Sequence, residues 1–375
     1  MRRLLLLMTA LAPMLVLACY NDRDTLGYEL HNKPDIQKAL TGRFDRYPPL
    51  YYTMRVDRLR AKKLLAVDEY DDLAVALGRL GRSNEALVVL AKKAKLPNLS
   101  TDAQYRLFAN RGTIEVLRWF QDGAKASEIH KLEVAKQDVS EAIKINPNAH
   151  FGREGAQLGV ISWLISVKTA DQQHSTEKAT LADCLYLGLK DPSDDASKMA
   201  IALAGLITLG GAWESPDIAL AMGDLVDRVE ADSGSNGSVA WFAVERYNEL
   251  VKLGHKPLDL AMANQNAREI KHAVHPSFEY PELATAIRFK TLRKESDEWH
   301  DAKTRYMMER LRAGRHPDTD PSFWDDWKEP AMPVLPTDLP KKAYVQYAPI
   351  IAIAILVGLS VLLLLVVDRL RKSFH

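Results

Sequence analysis

From Leu50 to about Arg315 the apolar residues recur every three or four positions, and that rhythm restricts the chain to packed helices. Val56 and Leu59, Leu64 and Val67, then Leu73, Leu77 and Leu80 follow it. Ala, Leu, Glu, Lys and Arg, all strong helix formers, dominate the stretch. Alternation with a period of two is nearly absent, so the expected class is all-α. The breaks are short and frequent, among them Gly81-Arg-Ser, Pro97-Asn-Leu-Ser-Thr, Asn146-Pro-Asn, Asp191-Pro-Ser-Asp, Glu214-Ser-Pro-Asp and Gly254-His-Lys-Pro. Helices joined by such connections pack antiparallel to their neighbours.

The two ends of the chain have a different character. Residues 348–367 read APIIAIAILVGLSVLLLLVV, twenty residues without a charge. At 1.5 Å rise per residue this matches the ~30 Å hydrocarbon core, so a C-terminal transmembrane helix is expected. Arg2 and Arg3 precede a shorter greasy run, LLLLMTALAPMLVLA, interrupted by Pro13 and ending at Cys19, which reads as a secretory signal. Arg369, Arg371 and Lys372 after the span favour its cytoplasmic side. Lys341 and Lys342 weaken that signal, but the leader fixes the direction. The bulk of the chain is then extracytoplasmic, with a short cytoplasmic tail.

Val16-Leu17-Ala18-Cys19 resembles the lipobox of bacterial lipoproteins, which implies cleavage before Cys19 and a lipid on its sulfur. The other reading is a plain signal peptide with an incidental cysteine. Only Cys19 and Cys184 exist, so a lipidated Cys19 leaves no disulfide to support the exported part. Cys184, in Leu-Ala-Asp-Cys-Leu-Tyr-Leu, reads as a small core residue.

The whole chain carries 50 Lys and Arg against 49 Asp and Glu. Setting aside Arg2, Arg3, Arg369, Arg371 and Lys372 leaves 45 basic residues, and setting aside Asp368 leaves 48 acidic ones, so the exported part nets −3. No basic face is implied, which argues against nucleic acid as a partner. Residues 1–18 are read as signal and 19–49 as an extended N-terminal arm, with Gly27, Pro34, Gly42, Pro48 and Pro49 as breakers. Residues 50–167 and 168–315 are successive sets of helical hairpins. Prolines at 317, 321, 330, 333, 336 and 340 mark 316–347 as an extended stalk before the span at 348–367 and the tail at 368–375.

Two stretches resemble the tetratricopeptide repeat. In the first, Tyr70, Leu73, Ala74, Gly81, Ala86 and Leu90 fall on motif positions, while Lys93 stands for a small residue and Pro97 comes one position early. In the second, Ala135, Val139, Ala142 and Pro147 fit, and Trp119 and Gly123 land on the large and small positions of a first helix. Asp122 and His130 depart from the pattern there. The resemblance covers residues 50–167 and implies an α-solenoid of stacked hairpins with scaffolding rather than catalysis.

Chemical motifs are sparse. No nucleotide loop, nucleophile elbow or zinc helix is present, and no cofactor is expected. His272 and His275, three apart, read as a solvated helix end. Asp318, Asp320, Ser322, Asp326 and Glu329 match calcium-loop spacing, but Phe323 replaces the required glycine and Pro321 and Pro330 interrupt it. Phe323, Trp324 and Trp327 are expected to cover the helical domain or meet a bilayer interface. The expected function is a membrane-anchored adaptor that binds protein partners in the cell envelope. Three rivals stand beside it: a lipoprotein with a ligand pocket between helices, a purely structural subunit, and an enzyme built on His130, His150 and Glu154.

Overall fold

The computed structural model describes residues 20–147, 149–169, 180–189, 192–233, 238–258 and 282–333, together with Ile355. Among these residues every regular element is helical and no strand occurs. No described helix is long and apolar enough to cross a membrane. The leader, Cys19, His272, His275 and, apart from Ile355, the 348–367 run lie outside the described residues.

The expected extended arm is instead helical and built into the core. Asp22 caps α1 (Arg23–His31), accepting the Thr25 N–H at 3.1 Å, and Asp35 caps α2 (Ile36–Thr41), accepting that of Lys38 at 2.7 Å. The residues read as breakers serve as punctuation. Gly42 ends α2 at φ +89°, and Pro49 opens α3 (Pro49–Arg60) at a position where its missing N–H costs nothing. Tyr20, Ala39, Leu40 and Phe44 are all buried, which gives this short segment enough apolar surface to dock.

Next come α4 (Val67–Arg79) and α5 (Ser83–Lys93), joined by a turn in which Gly81 takes φ +75°. Leu73, Ala74, Ala86 and Leu90 are buried between them, and Tyr70 packs at the edge of the same core. The pair α6 (Thr101–Gln121) and α7 (His130–Ile145) approaches most closely at Gly112, where a Cβ would stand 2.8 Å from Val139 and 3.0 Å from the Ala135 carbonyl. Ala135, Val139 and Ala142 are fully buried here, and Pro147 is exposed beyond the helix end. The expected first helix around Trp119 and Gly123 is displaced: α6 ends at Gln121, Gly123 sits in a turn at φ +86°, and residues 122–129 form a turn and a short 3-10 piece. The close-packing small residue is Gly112, eleven positions earlier.

Then follow α8 (Arg153–Thr169), α9 (Leu181–Leu187), α10 (Pro192–Gly205), α11 (Pro216–Ser233) and α12 (Ser238–Lys252). Helix α10 runs into a π-helical turn, Leu206–Gly210, which stops at Gly211 with φ +153°. Helices α11 and α12 pair tightly where Gly223 faces Ala243. The 31-residue α13 (Glu282–Arg312) spans both apolar cores. Phe289 and Leu292 join the larger one, with α2 and α8–α12; Met307 and Leu311 join the smaller one, with Tyr20 and α3–α6.

The first part of the expected stalk is also folded. Residues 316–333 pack back onto α3 and α13: Phe323 is fully buried, and the Trp324 ring stacks on Tyr306 with centroids 5.6 Å apart. The prolines forbid a helix there but not packing. Residues 334–347 lie outside the described part.

Candidate functional site

The two cores meet around the first described residues, and the site is the set of groups that grips them. Asn21 is fully buried in an extended stretch where no helix satisfies its backbone. Asn110 of α6 does so: its side-chain oxygen accepts the Asn21 N–H at 2.8 Å, and its amide donates to the Asn21 carbonyl at 3.0 Å and to Asp71 at 3.1 Å. Both backbone groups of one residue are thus read by one side chain. Arg153 of α8 donates to the Tyr20 carbonyl and to the Asn21 side chain, each at 3.2 Å. Asp72 accepts the Arg23 N–H at 2.9 Å, and the Arg79 guanidinium lies 4.1 Å from the Tyr20 ring centre.

An ionic cluster holds the next residues. Arg55 of α3 is fully buried and donates to Asp24 at 2.8 and 2.9 Å, to Asp22 at 3.3 Å and to Asp318 at 2.6 and 2.8 Å. The guanidinium fork can serve three carboxylates because its five N–H groups point in fixed directions. Burial pushes the Asp318 carboxyl up, but its hydrogen bonds with Arg55 and the Arg55 charge outweigh that and hold it at about 2. Burial and the Asp22 charge raise Asp24, against the opposing pull of Arg55. Asp72, under burial and the same Asp22 charge, is pushed up to about 7. The cluster ties the N-cap and first turn of α1 to the segment after α13 through one arginine.

Beside this grip lies a cavity of about 230 Å³ between the N-terminal segment, the end of α4 and the π-helical turn. Arg46, Arg79, Tyr28, Tyr52, Thr208 and Trp213 contribute to its walls. Gly42 leaves the room that Trp213 uses, since a Cβ there would lie 2.9 Å from the indole.

The residues singled out for chemistry are not brought together. His150 pairs with Glu29 of α1 and stacks on Tyr105, while His130 is exposed at the other end of α7, roughly 24 Å of helix away. Glu154 is buried beside Arg153, 3.9 Å from its guanidinium. The calcium-spaced acids do not converge either. Asp318 serves Arg55, Asp320 pairs with Arg315, Asp326 with Arg310, and Glu329 accepts from Trp299 and Trp327. Among the described residues no group of three His, Cys, Asp or Glu is placed to hold a metal. Cys184 packs at the edge of the larger core.

Arg55, Asn110 and Arg153 escape a reading of apolar periodicity, yet a signal exists for the first two. Arg55 lies four residues from Tyr51 and Leu59, and Asn110 three from Leu107 and four from Ile114, so each is a polar residue on an apolar stripe. Comparison with family models, with curated proteins and with solved structures found no match.

Proposed function

We propose that this chain is a helical scaffold of the cell envelope, tethered to a membrane, whose inner helices hold an extended polypeptide segment. The observation that carries the reading is the two-way pairing of Asn110 with the Asn21 backbone. Reading a backbone N–H and C=O from a side chain is how a helical surface grips an extended strand of any sequence, because it replaces the ladder partner that strand would otherwise need. Here the extended segment is the chain's own residues 20–22, and Asp22 with Asp24 in the first turn of α1 supplies the charge that Arg55 matches. The tetratricopeptide-like hairpins at 50–167 and their stacking as a solenoid belong to the same proposal, as do the leader, the lipid on Cys19 and the 348–367 span.

The test is crosslinking of the full-length protein in native membranes, followed by mass-spectrometric identification, with Asn110→Ala run in parallel. Stoichiometric partners whose crosslinks map to α4, α6 and α8 support the scaffold, provided Asn110→Ala, which loosens the segment these helices hold, alters their yield more than a variant of equal stability loss elsewhere in the core. Absence of any stoichiometric partner overturns it.

A further inference from the structure

The cavity beside the grip has an uneven balance of charge. Four acids line it: Asp22, Asp24, Asp45 and Glu214. Asp22 and Asp24 serve Arg55, and Asp45 pairs with Lys303 at 2.5 Å, so only Glu214 stands outside an ion pair among the described residues. The two arginines in the walls are differently placed. Arg79 donates to the Leu209 carbonyl and lies over Tyr20. Arg46 has one long contact, 3.5 Å to the Gly42 carbonyl, and its Nε has no hydrogen-bond partner among the described residues. Neither makes an ion pair with a described acid. Their guanidinium groups are oriented by aromatic faces and carbonyls, which position an arginine without neutralising it.

Arg46 is under further strain from its neighbours. Its guanidinium lies 5.1 Å from the Trp213 ring centre, and Arg246 and Arg293 face the same indole at 3.4 and 5.2 Å. Those two are compensated by Glu249, and Arg293 also by Asp297 at 2.9 Å. Arg46 alone of the trio makes no ion pair with a described acid; Asp297, Asp301 and Glu214 act on it only at longer range, and burial with the Arg293 charge outweighs them and brings it down to about 10. The remaining wall is the π-helical turn at 206–210, an irregularity that recurs at functional sites. A partly buried guanidinium with spare donors costs stability unless an anion joins it.

We propose that this cavity binds a small organic anion, with its carboxylate or phosphate group held by Arg46 and Arg79 and its body against Tyr52, Ile207 and Trp213. About 230 Å³ is below the usual ~300–1,000 Å³ of drug-sized ligand sites, so it has room for a small anion and none for a folded partner. Asn21 and Asn110 do not line the cavity, although Asp22, Asp24 and Arg79 border both, so anion binding is read separately from the backbone pairing.

The test is thermal unfolding and titration calorimetry on purified full-length protein, with inorganic phosphate, succinate and a sugar phosphate as probes and sodium chloride of equal ionic strength as the reference. Phosphate-bearing and carboxylate-bearing probes separate the two anion sources. At least one probe should raise the unfolding midpoint above the chloride reference. Arg46→Met and Arg79→Met should each weaken that binding roughly 10–100-fold, the loss of one charge-assisted hydrogen-bonding group, while Arg46→Lys retains part of it. Without ligand, Arg46→Met should unfold at the same temperature as the parent or higher, because the burial cost of this guanidinium outweighs its long-range attraction to Asp297, Asp301 and Glu214. Three results overturn the proposal: no probe exceeds chloride, binding survives both methionine variants, or Arg46→Met lowers the unliganded midpoint.

Discussion

Asn110→Ala tests the grip most directly. The side chain is fully buried, and so is Asn21, whose N–H and C=O both depend on it. Alanine leaves those two backbone groups without a partner in a place water does not reach, and each orphaned group costs about 1–3 kcal/mol. The vacated amide volume adds roughly 1 kcal/mol. The sum is a loss of about 3–7 kcal/mol, a large part of the stability of a typical domain. Denaturant unfolding reads the global loss, and hydrogen exchange at the Asn21 amide reads the local one. Asn110→Asp separates shape from chemistry. It keeps the acceptor for the Asn21 N–H but loses the donor and places a carboxylate 3.1 Å from Asp71, so near neutral pH it should cost at least as much. A loss below about 1 kcal/mol for Asn110→Ala, with the Asn21 amide still protected, would refute the claim that this pairing holds the segment.

Three further outcomes are expected. Arg55→Met strands Asp22, Asp24 and Asp318 and should cost about 3–5 kcal/mol in denaturant unfolding, with Arg55→Lys failing to restore it because an ammonium cannot serve three carboxylates in one plane. Asp72 carries a carboxyl raised to about 7 by burial and by Asp22, so the folded protein keeps a proton that the unfolded chain releases, and stability falls as pH climbs from about 4 to about 7; Asp72→Asn, which still accepts the Arg23 N–H, should exceed the parent in unfolding free energy near pH 8 by at most ~4 kcal/mol and match it near pH 4. Gly112→Ala drives a methyl against Val139 and the Ala135 backbone and should cost about 1–3 kcal/mol, whereas Gly155→Ala on α8 meets nothing within 4 Å and should stabilise by up to ~1 kcal/mol.

Helical class was legible because its signal is local: a 3.6-residue period and strong helix formers suffice to mark the chain as all-α. The hairpin at α4 and α5 was readable for the same reason, since Gly81 and the spacing of Ala74 and Ala86 mark a turn between two close helices. The second hairpin was misplaced because Ala135, Val139 and Ala142 fix α7 but not the helix it packs on; Gly112 looks like any interior glycine until the Ala135 carbonyl is seen beside it. The N-terminal arm and the proline-rich segment were read as extended because breakers are weighed locally, whereas Tyr20 and Phe323 dock through contacts with residues far along the chain. Site residues were missed on the same ground. A buried arginine or asparagine is a long-range statement about which backbone or acid reaches it, and periodicity carries no such information.

One consequence follows from where Asp22 and Asp318 meet. Synthesis runs from the N-terminus, so residues 20–24 emerge well before Asp318, the acid that shares Arg55 with them, which follows ~300 residues later. At ordinary elongation rates that is a gap of roughly 15–60 s. During it residues 20–24 lack the third acid that completes the Arg55 cluster in the folded protein. Asn21-Asp-Arg-Asp24 is well suited to the delay, being hydrated and unattractive to other nascent chains. The stretch that finishes the interior is the one best able to stay in water until the rest arrives.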